Sequence, residues 1–297
     1  ARVTVNRLWQ QCFGEGLVPT VNDFGAQGDL PSHPELLDWL AVQFVHGGWD
    51  VKHVLRLLVT SATYRQTSVP SEDLLRGDPQ NRLYARGPRF RLPAEMIRDQ
   101  ALAASGLLVT RLGGPPVKPY QPPGLWEAVS YNGELSYRVD RDDGLWRRTV
   151  YSHWKRTAPP PGVQIFDGPT RETCSVRRPR TNTPLQALLL LNDETFVEAA
   201  RALAAEGLAL KSAGDDARLT VLFRRVLARR PDTRETELLL GLQRRQRVRF
   251  EANRAAAEAL LAVGQSPLGR GADPIETAAW TVVAQAILNL DETVTRR

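Results

Sequence analysis

Sulfur is the scarcest resource in this 297-residue chain: Cys12, Cys174 and Met96 are all it has. Two cysteines close at most one disulfide, so no disulfide framework holds the fold. No CxxC or CxxCH occurs, which excludes a zinc pair or a haem-attachment site within this segment. Cys174 reads as a buried or disulfide-capable cysteine. Histidine is also rare, at four residues. No HExxH, GxSxG or phosphate-cradling glycine loop is present, and Ser152-His153 are sequence neighbours, a spacing that seldom gives triad geometry. No apolar run approaches the ~18 residues of a membrane span, and no charged-then-apolar leader opens the chain.

Lysine is missing in a different way. Only Lys52, Lys118, Lys155 and Lys211 occur, so 35 of the 39 basic residues are arginine. The net charge of +6 and a pI near 9.7 invite a nucleic-acid reading. Charge is its only support, because no zinc-finger, RNA-recognition or basic-zipper pattern accompanies it. A nucleic-acid partner is therefore the weakest of the readings, below a solvated basic surface.

What is present is helix. Val3 to Phe13 carries Leu8, Trp9 and Phe13 on one stripe. Ser32-His33-Pro34-Glu35 reads as a capping box opening a helix with Leu36, Leu37, Trp39, Leu40 and Phe44. Val51 to Tyr64 continues at helical spacing, an irregular connection comes next, and Pro93 opens another helix. Thr183, Pro184 and Gln186 suit a second box, starting one long apolar helix from Leu185 to Leu203. Asp216 to Arg229 is amphipathic. Asp232 to Glu235 opens a polar helix to about Val263, a Gly/Pro loop intervenes, and Asp273-Pro274 caps a last helix with Trp280, Val283 and Ile287. Trp9 and Trp280 each need cover, and the reading packs the first helix against the last.

Between residues 113 and 182 the texture changes. Eight prolines, from Pro115 to Pro161, interrupt helix. Trp126, Tyr131, Tyr137, Trp146, Tyr151 and Trp154 sit among them, with room for one or two short strands at 137–139 and 148–154. The expected fold is mainly α: a multi-helix globular bundle with a Pro/aromatic-rich loop insert. Its parts are an N-terminal helical portion (1–112), the insert with its arginine loop (113–182) and a C-terminal helical portion (183–297), read as one integrated domain. The opening residues already look helical, so the chain reads as a fragment of a longer polypeptide.

Three groups of residues could carry function. Arg177, Arg178 and Arg180, with Asn182 and Thr183 at a helix start, suit a carboxylate, sulfate or phosphate, because guanidinium forks and unpaired helix N–H groups both favour oxyanions. Against this stands an internal role, in which these arginines pair with Asp23, Asp29, Asp167 or Glu172. Arg180 is the better structural candidate, and Arg177 or Arg178 the better ligand-facing one. Asp23, Asp29 and His33 are weak candidates for acid–base work; their spacing matches no metal loop, and no metal site is expected. Trp126, Trp146 and Trp154, interleaved with Arg147, Arg148, Lys155 and Arg156, could stack sugar rings or form a small satellite core.

Four phrases occur together in order: RVTVNRLWQQCFGEGLVPTVNDFGAQGDLPSHPELLDWLA, GWDVKHVLRLLVTSATYRQTS, RRTVYSHWKRTAPPPGVQIFDGPTRETCSVRRPRTNTPLQALLLLND and AAWTVVAQAILNLDETVTR. Nearly end to end, the chain resembles the planctomycete-specific domain of unknown function that closes large exported proteins. The resemblance implies export, to periplasm or beyond, and a multidomain parent that often carries a cytochrome c-like domain, so haem would belong elsewhere in the parent. The family commonly has histidines in the WQ..F phrase, where this chain has Gln11 and Cys12. The resemblance implies no activity. The leading expectation is an accessory module engaging an acidic polysaccharide, a small anion or another domain of the parent; the alternative is an enzyme acting on carbohydrate.

Overall fold

A computed structural model describes residues 1–210, 214–268 and 273–296; Lys211 and part of the expected Gly/Pro loop lie outside them. Thirteen α-helices and a single two-stranded sheet are found among the described residues, so the fold is mainly α. The chain gathers into two units. One comprises Ala1–Arg91, Cys174–Pro179 and the stretch from Thr295; the other comprises Leu92–Thr173 and Arg180–Val294.

In the first unit, α1 (Arg2–Phe13) packs on α2 (Pro34–His46) and α3 (Val51–Thr60). Val5, Trp9, Leu37, Leu40, Phe44, Val54 and Leu58 fill the space between them. The turn after α1 is fixed by Asn6, fully buried, whose amide donates to the Val18 carbonyl and accepts from the Val18 N–H at 3.0 and 2.9 Å. α4 (Glu72–Gly77) is capped by Ser71. β1 (Phe90–Arg91) pairs antiparallel with β2 (Thr295–Arg296). The box expected at Ser32 does not form. Pro34 takes the first helical position, which moves the cap to His33, and the Ser32 hydroxyl donates to the Leu17 carbonyl instead. Trp39 is 48% exposed, off the face that carries Leu37, Leu40 and Phe44. The third helix ends at Thr60 rather than Tyr64, because the Ser61 hydroxyl bonds the Leu58 carbonyl and the Tyr64 N–H across an extended residue.

The second unit contains α5 (Ala94–Ala104), α6 (Pro161–Ile165), α7 (Pro184–Asn192), α8 (Glu194–Leu208), α9 (Asp215–Leu227), α10 (Thr233–Ala252), α11 (Arg254–Leu261), α12 (Pro274–Leu288) and α13 (Asp291–Val294). Helices α8 and α12 form its spine. Small residues, Ala199, Ala200 and Ala204 against Ala284, let them approach, and Leu203, Trp280, Val283 and Ile287 fill the sides. Trp280 is covered within this core and Trp9 within that of the first unit.

Two helices expected to be continuous are broken, each at a residue that caps the next helix. Asp193 adopts an extended conformation (φ −69°, ψ 135°), ends α7 and accepts from the Thr195 N–H to start α8. Asn253 separates α10 from α11 and accepts from the Ala256 N–H. In the insert, the described residues hold no strand at 137–139 or 148–154. Three 3-10 turns and the isolated bridges Val109–Arg147, Val117–Ser152 and Lys155–Ala158 stand there instead. Prolines remove the N–H donors that a longer ladder needs.

Candidate functional site

The three weak catalytic candidates serve local turns. Asp23 accepts from the Gly25 N–H at 2.7 Å, and the Thr20 hydroxyl ties the Asp23 carbonyl to the Asp29 N–H. Asp23 and Asp29 are both exposed. The His33 ring meets the Ser32 hydroxyl at 3.0 Å and tilts onto Tyr84. Cys12 is buried and Cys174 exposed, and both are free; Cys174 is thus neither buried nor bonded. Burial raises the Cys12 thiol pKa, partly offset by Arg296.

The arginine loop is split between the units: Arg177 and Arg178 group with the first, Arg180 with the second. Asn182 and Thr183 are exposed at the start of α7. Thr183 is the N-cap and Pro184 the first helical residue, as expected, but no side-chain cap bond forms. Gln186 is drawn elsewhere. It is buried, and its amide donates to the Ile165 carbonyl at 2.9 Å and to the Thr181 hydroxyl at 3.1 Å. Thr181 in turn donates its N–H and hydroxyl to the Asp167 carboxylate.

The three candidate tryptophans of the insert are engaged within the fold. Trp126 is 8% exposed and edges onto Tyr137 and His153, with the Lys118 and Lys155 ammonium groups 5.4 and 5.1 Å from its centroid. Trp146 donates its indole N–H to Glu198 at 2.9 Å. Trp154 packs on the main core, and the Arg171 guanidinium lies 4.2 Å from its ring. Among the described residues no cluster of three or more His, Cys, Asp or Glu could hold a metal ion.

One site with room for a ligand is a cleft of about 410 Å³ within the second unit. Its lining comes from the loop Pro119–Pro122, from Pro160 and Pro161 through α6 to Phe166, and from Leu185, Leu188 and Leu189 of α7. Leu185 and Leu188, one helical turn apart, are each 55% exposed. Prolines stiffen these walls, because each fixes its own φ. The size lies in the range of small-ligand pockets, ~300–1,000 Å³.

A few polar groups enter this apolar lining. Arg98, on α5, has a side chain only 12% exposed. It donates to the Leu145 carbonyl at 2.6 Å, the Arg147 carbonyl at 2.9 Å and the Thr149 hydroxyl at 3.2 Å. Its Nε–H has no partner, and neither does Gln121 Oε1 or Ser152 Oγ. Burial lowers the Arg98 pKa, opposed by the Asp99 and Asp193 carboxylates. Burial raises that of Asp193, against hydrogen bonds from Thr195 and the charge of Arg98. Beside the cleft the Glu194 carboxyl is raised by burial and then by Asp193 and Glu198. Tyr120 is raised by burial and by Glu198. The Ser152 hydroxyl is bonded to no base, and the neighbouring His153 ring lies against Trp126 instead. The arrangement can bind an apolar body and offer it a few hydrogen bonds; it holds no activated nucleophile.

Sequence reasoning missed this cleft, since its walls lie up to 102 residues apart, from Ala94 to Phe196. Only Asp193-Glu194-Thr195 carried a local signal, an N-cap followed by acid in the first turn. Compared with known proteins, the chain matches the model of the PSD1 family, described as a protein of unknown function (DUF1553), over residues 1–266. No curated protein and no solved structure matches it.

Proposed function

The chain belongs to the PSD1 family, whose description states no activity, and we propose that it is a non-catalytic binding module whose ligand enters the cleft of the second unit. One observation carries the reading. A proline-stiffened, mainly apolar cleft exposes Leu185 and Leu188 to solvent, while the polar side chains around it are engaged in holding the fold or lack any partner that would activate them. Apolar surface left open in this way favours occupation, by about 25 cal/mol for each Å² covered. The module would serve an exported parent protein, cytochrome c-linked in the manner that the sequence resemblance implies, and bring its cleft to another part of that parent.

The test is titration with the fluorescent apolar dye 1-anilinonaphthalene-8-sulfonate. One dye should bind in the cleft, and Leu188→Glu, which removes apolar surface and repels the sulfonate, should weaken it at least about tenfold, the effect of ~1.4 kcal/mol. Leu188 is exposed, so stability should change by less than ~0.5 kcal/mol. Equal dye binding by the variant would remove the cleft reading.

A second reading keeps an acidic polysaccharide or small anion at Arg177 and Arg178, favoured by the exposure of both residues. It predicts sulfate binding that weakens with salt, since exposed charges are screened over ~8–10 Å at physiological ionic strength, and that is lost in Arg177→Ala/Arg178→Ala. The carbohydrate-enzyme alternative gains no support from Asp23, whose carboxylate closes a turn.

A further inference from the structure

The cleft's unpartnered polar atoms narrow its ligand to one chemical class. Gln121 Oε1 is an acceptor without a donor, and Ser152 Oγ can donate or accept with neither role filled. Both residues line the cleft. As they stand, the two atoms are shielded from water. Rotation about the terminal torsion of Gln121 or about χ1 of Ser152 turns them, and such torsions have alternative staggered or broad wells. A buried polar atom without a partner is unfavourable, so a ligand that supplies the partner gains from the rotation.

The two unfilled roles call for a hydrogen-bond donor and a hydrogen-bond acceptor on a body that is otherwise apolar. A peptide group does this: its N–H meets an acceptor such as Gln121 Oε1, and its carbonyl meets a donor such as Ser152 Oγ–H. Apolar side chains on either side would cover Leu185 and Leu188. A free sugar brings too many hydroxyls for so apolar a lining, sulfate brings acceptors only, and a phosphate brings a charge and no apolar body. The available volume, about 410 Å³, suits a few residues rather than a folded domain.

We propose that the cleft takes an extended peptide segment of two or three residues with apolar side chains, held by hydrogen bonds between its peptide groups and the side chains of Gln121 and Ser152. This rests on the cleft being the binding site.

The probe is acetyl-Leu-Pro-Leu-amide, measured by displacement of the dye from the intact chain. Its partner is the analogue in which the ester oxygen replaces the N–H of the third residue, which keeps shape and apolar area but removes one donor. The peptide should displace the dye, and the ester should bind about tenfold more weakly, as loss of one hydrogen bond and an unpaired acceptor implies. In Gln121→Leu the ratio between peptide and ester should fall towards one. A peptide that fails to displace a dye whose binding is sensitive to Leu188→Glu would overturn the peptide assignment while leaving the cleft intact. So would equal binding of peptide and ester to the unaltered chain, a comparison that needs no variant to fold. A dye insensitive to Leu188→Glu would sink the underlying reading instead.

Discussion

Glu198 on α8 is fully buried, and removing its carboxylate should be among the most damaging single changes in the second unit. Its oxygens accept from the Trp146 indole at 2.9 Å, from the Gln265 N–H at 2.7 Å and from the Ser266 N–H. Arg201, also buried, stands 3.7 Å away. One side chain thus holds the insert through Trp146 and the loop after α11 through two main-chain donors. Glu198→Ala strands the Trp146 and Ser266 donors, leaves the Gln265 N–H only the Tyr120 hydroxyl at 2.9 Å, and leaves the Arg201 charge without its counter-ion. Removing one partner of a buried pair costs ~3–5 kcal/mol. Arg201 keeps three neutral acceptors, the Leu261 and Ser266 carbonyls and the Ser266 hydroxyl, which argues for the lower end. At ~2–4 °C per kcal/mol for a domain of this size, the melting temperature should fall by ~6–12 °C for a loss of ~3 kcal/mol. Far-UV circular dichroism melts read this directly, because the unit is helical. Glu198→Leu combined with Arg201→Met should recover part of the loss, since the stranded charge is then gone. A Glu198→Ala melt within ~1 kcal/mol of the parent chain would show that the donors find water and that the network does not hold the insert.

Other outcomes rest on the same packing. Trp280→Ala should cost ~3–5 kcal/mol by calorimetry, because the ring is 1% exposed in the α8–α12 core. Arg229 bonds both Glu235 and Glu292, and its hydrogen bond holds the Glu235 carboxyl below the ordinary carboxylate range. That stabilisation is complete above the unfolded value of ~4.3 and disappears as pH falls through the lower folded value. Glu235→Gln keeps the cap at Asp232 but should lose ~0.5–1 kcal/mol at neutral pH, after discounting for the partly exposed partners, and nothing in strong acid. Asp193 runs the other way. Its folded pKa is raised, so stability falls as pH rises from ~3.9 through the folded value. Asp193→Asn, an equal cap, should flatten that slope in pH-dependent melts and leave α8 intact.

Signals that depend on neighbours in the chain were legible, and signals that depend on distant neighbours were not. Asp232 and Glu235 form the reciprocal box that their spacing announces, and Asp273-Pro274 caps α12. Thr183 and Gln186 have the same spacing, yet Gln186 is captured by the Ile165 carbonyl, a partner 21 residues away. The apolar period from Leu185 to Leu203 runs unbroken across Asp193, so periodicity alone hides the corner at which α7 ends. The residues on both sides of that corner still face apolar surroundings, Leu189 and Leu190 before it and Phe196 and Ala199 after it. Trp39 shows the converse: an aromatic between two core leucines read as core, though its side chain leaves the helix on the outer face. The cleft was invisible because its loop walls carry no period and its helical walls, on α5, α6, α7 and α8, are brought together only by the fold.

The excess of arginine over lysine has a physical counterpart in the proline content. Twenty-one prolines contribute no N–H, and in the loops they interrupt, main-chain carbonyls lose their usual partners. Buried arginines take up such carbonyls. Arg86 donates to those of Leu74, Asp78 and Pro79; Arg98 to Leu145 and Arg147; Arg147 to Arg111, Gly113 and Pro115; Arg201 to Leu261 and Ser266. A guanidinium offers five donors in one plane and is weakly hydrated, so it can be buried against two or three carbonyls at once. An ammonium is compact and strongly hydrated, and it is a poor substitute. Arg147 adds a stack on Tyr151, 4.0 Å from the ring. A share of the basic charge is therefore spent inside the loops as a donor supply. The +6 total overstates what the surface presents to an anionic partner.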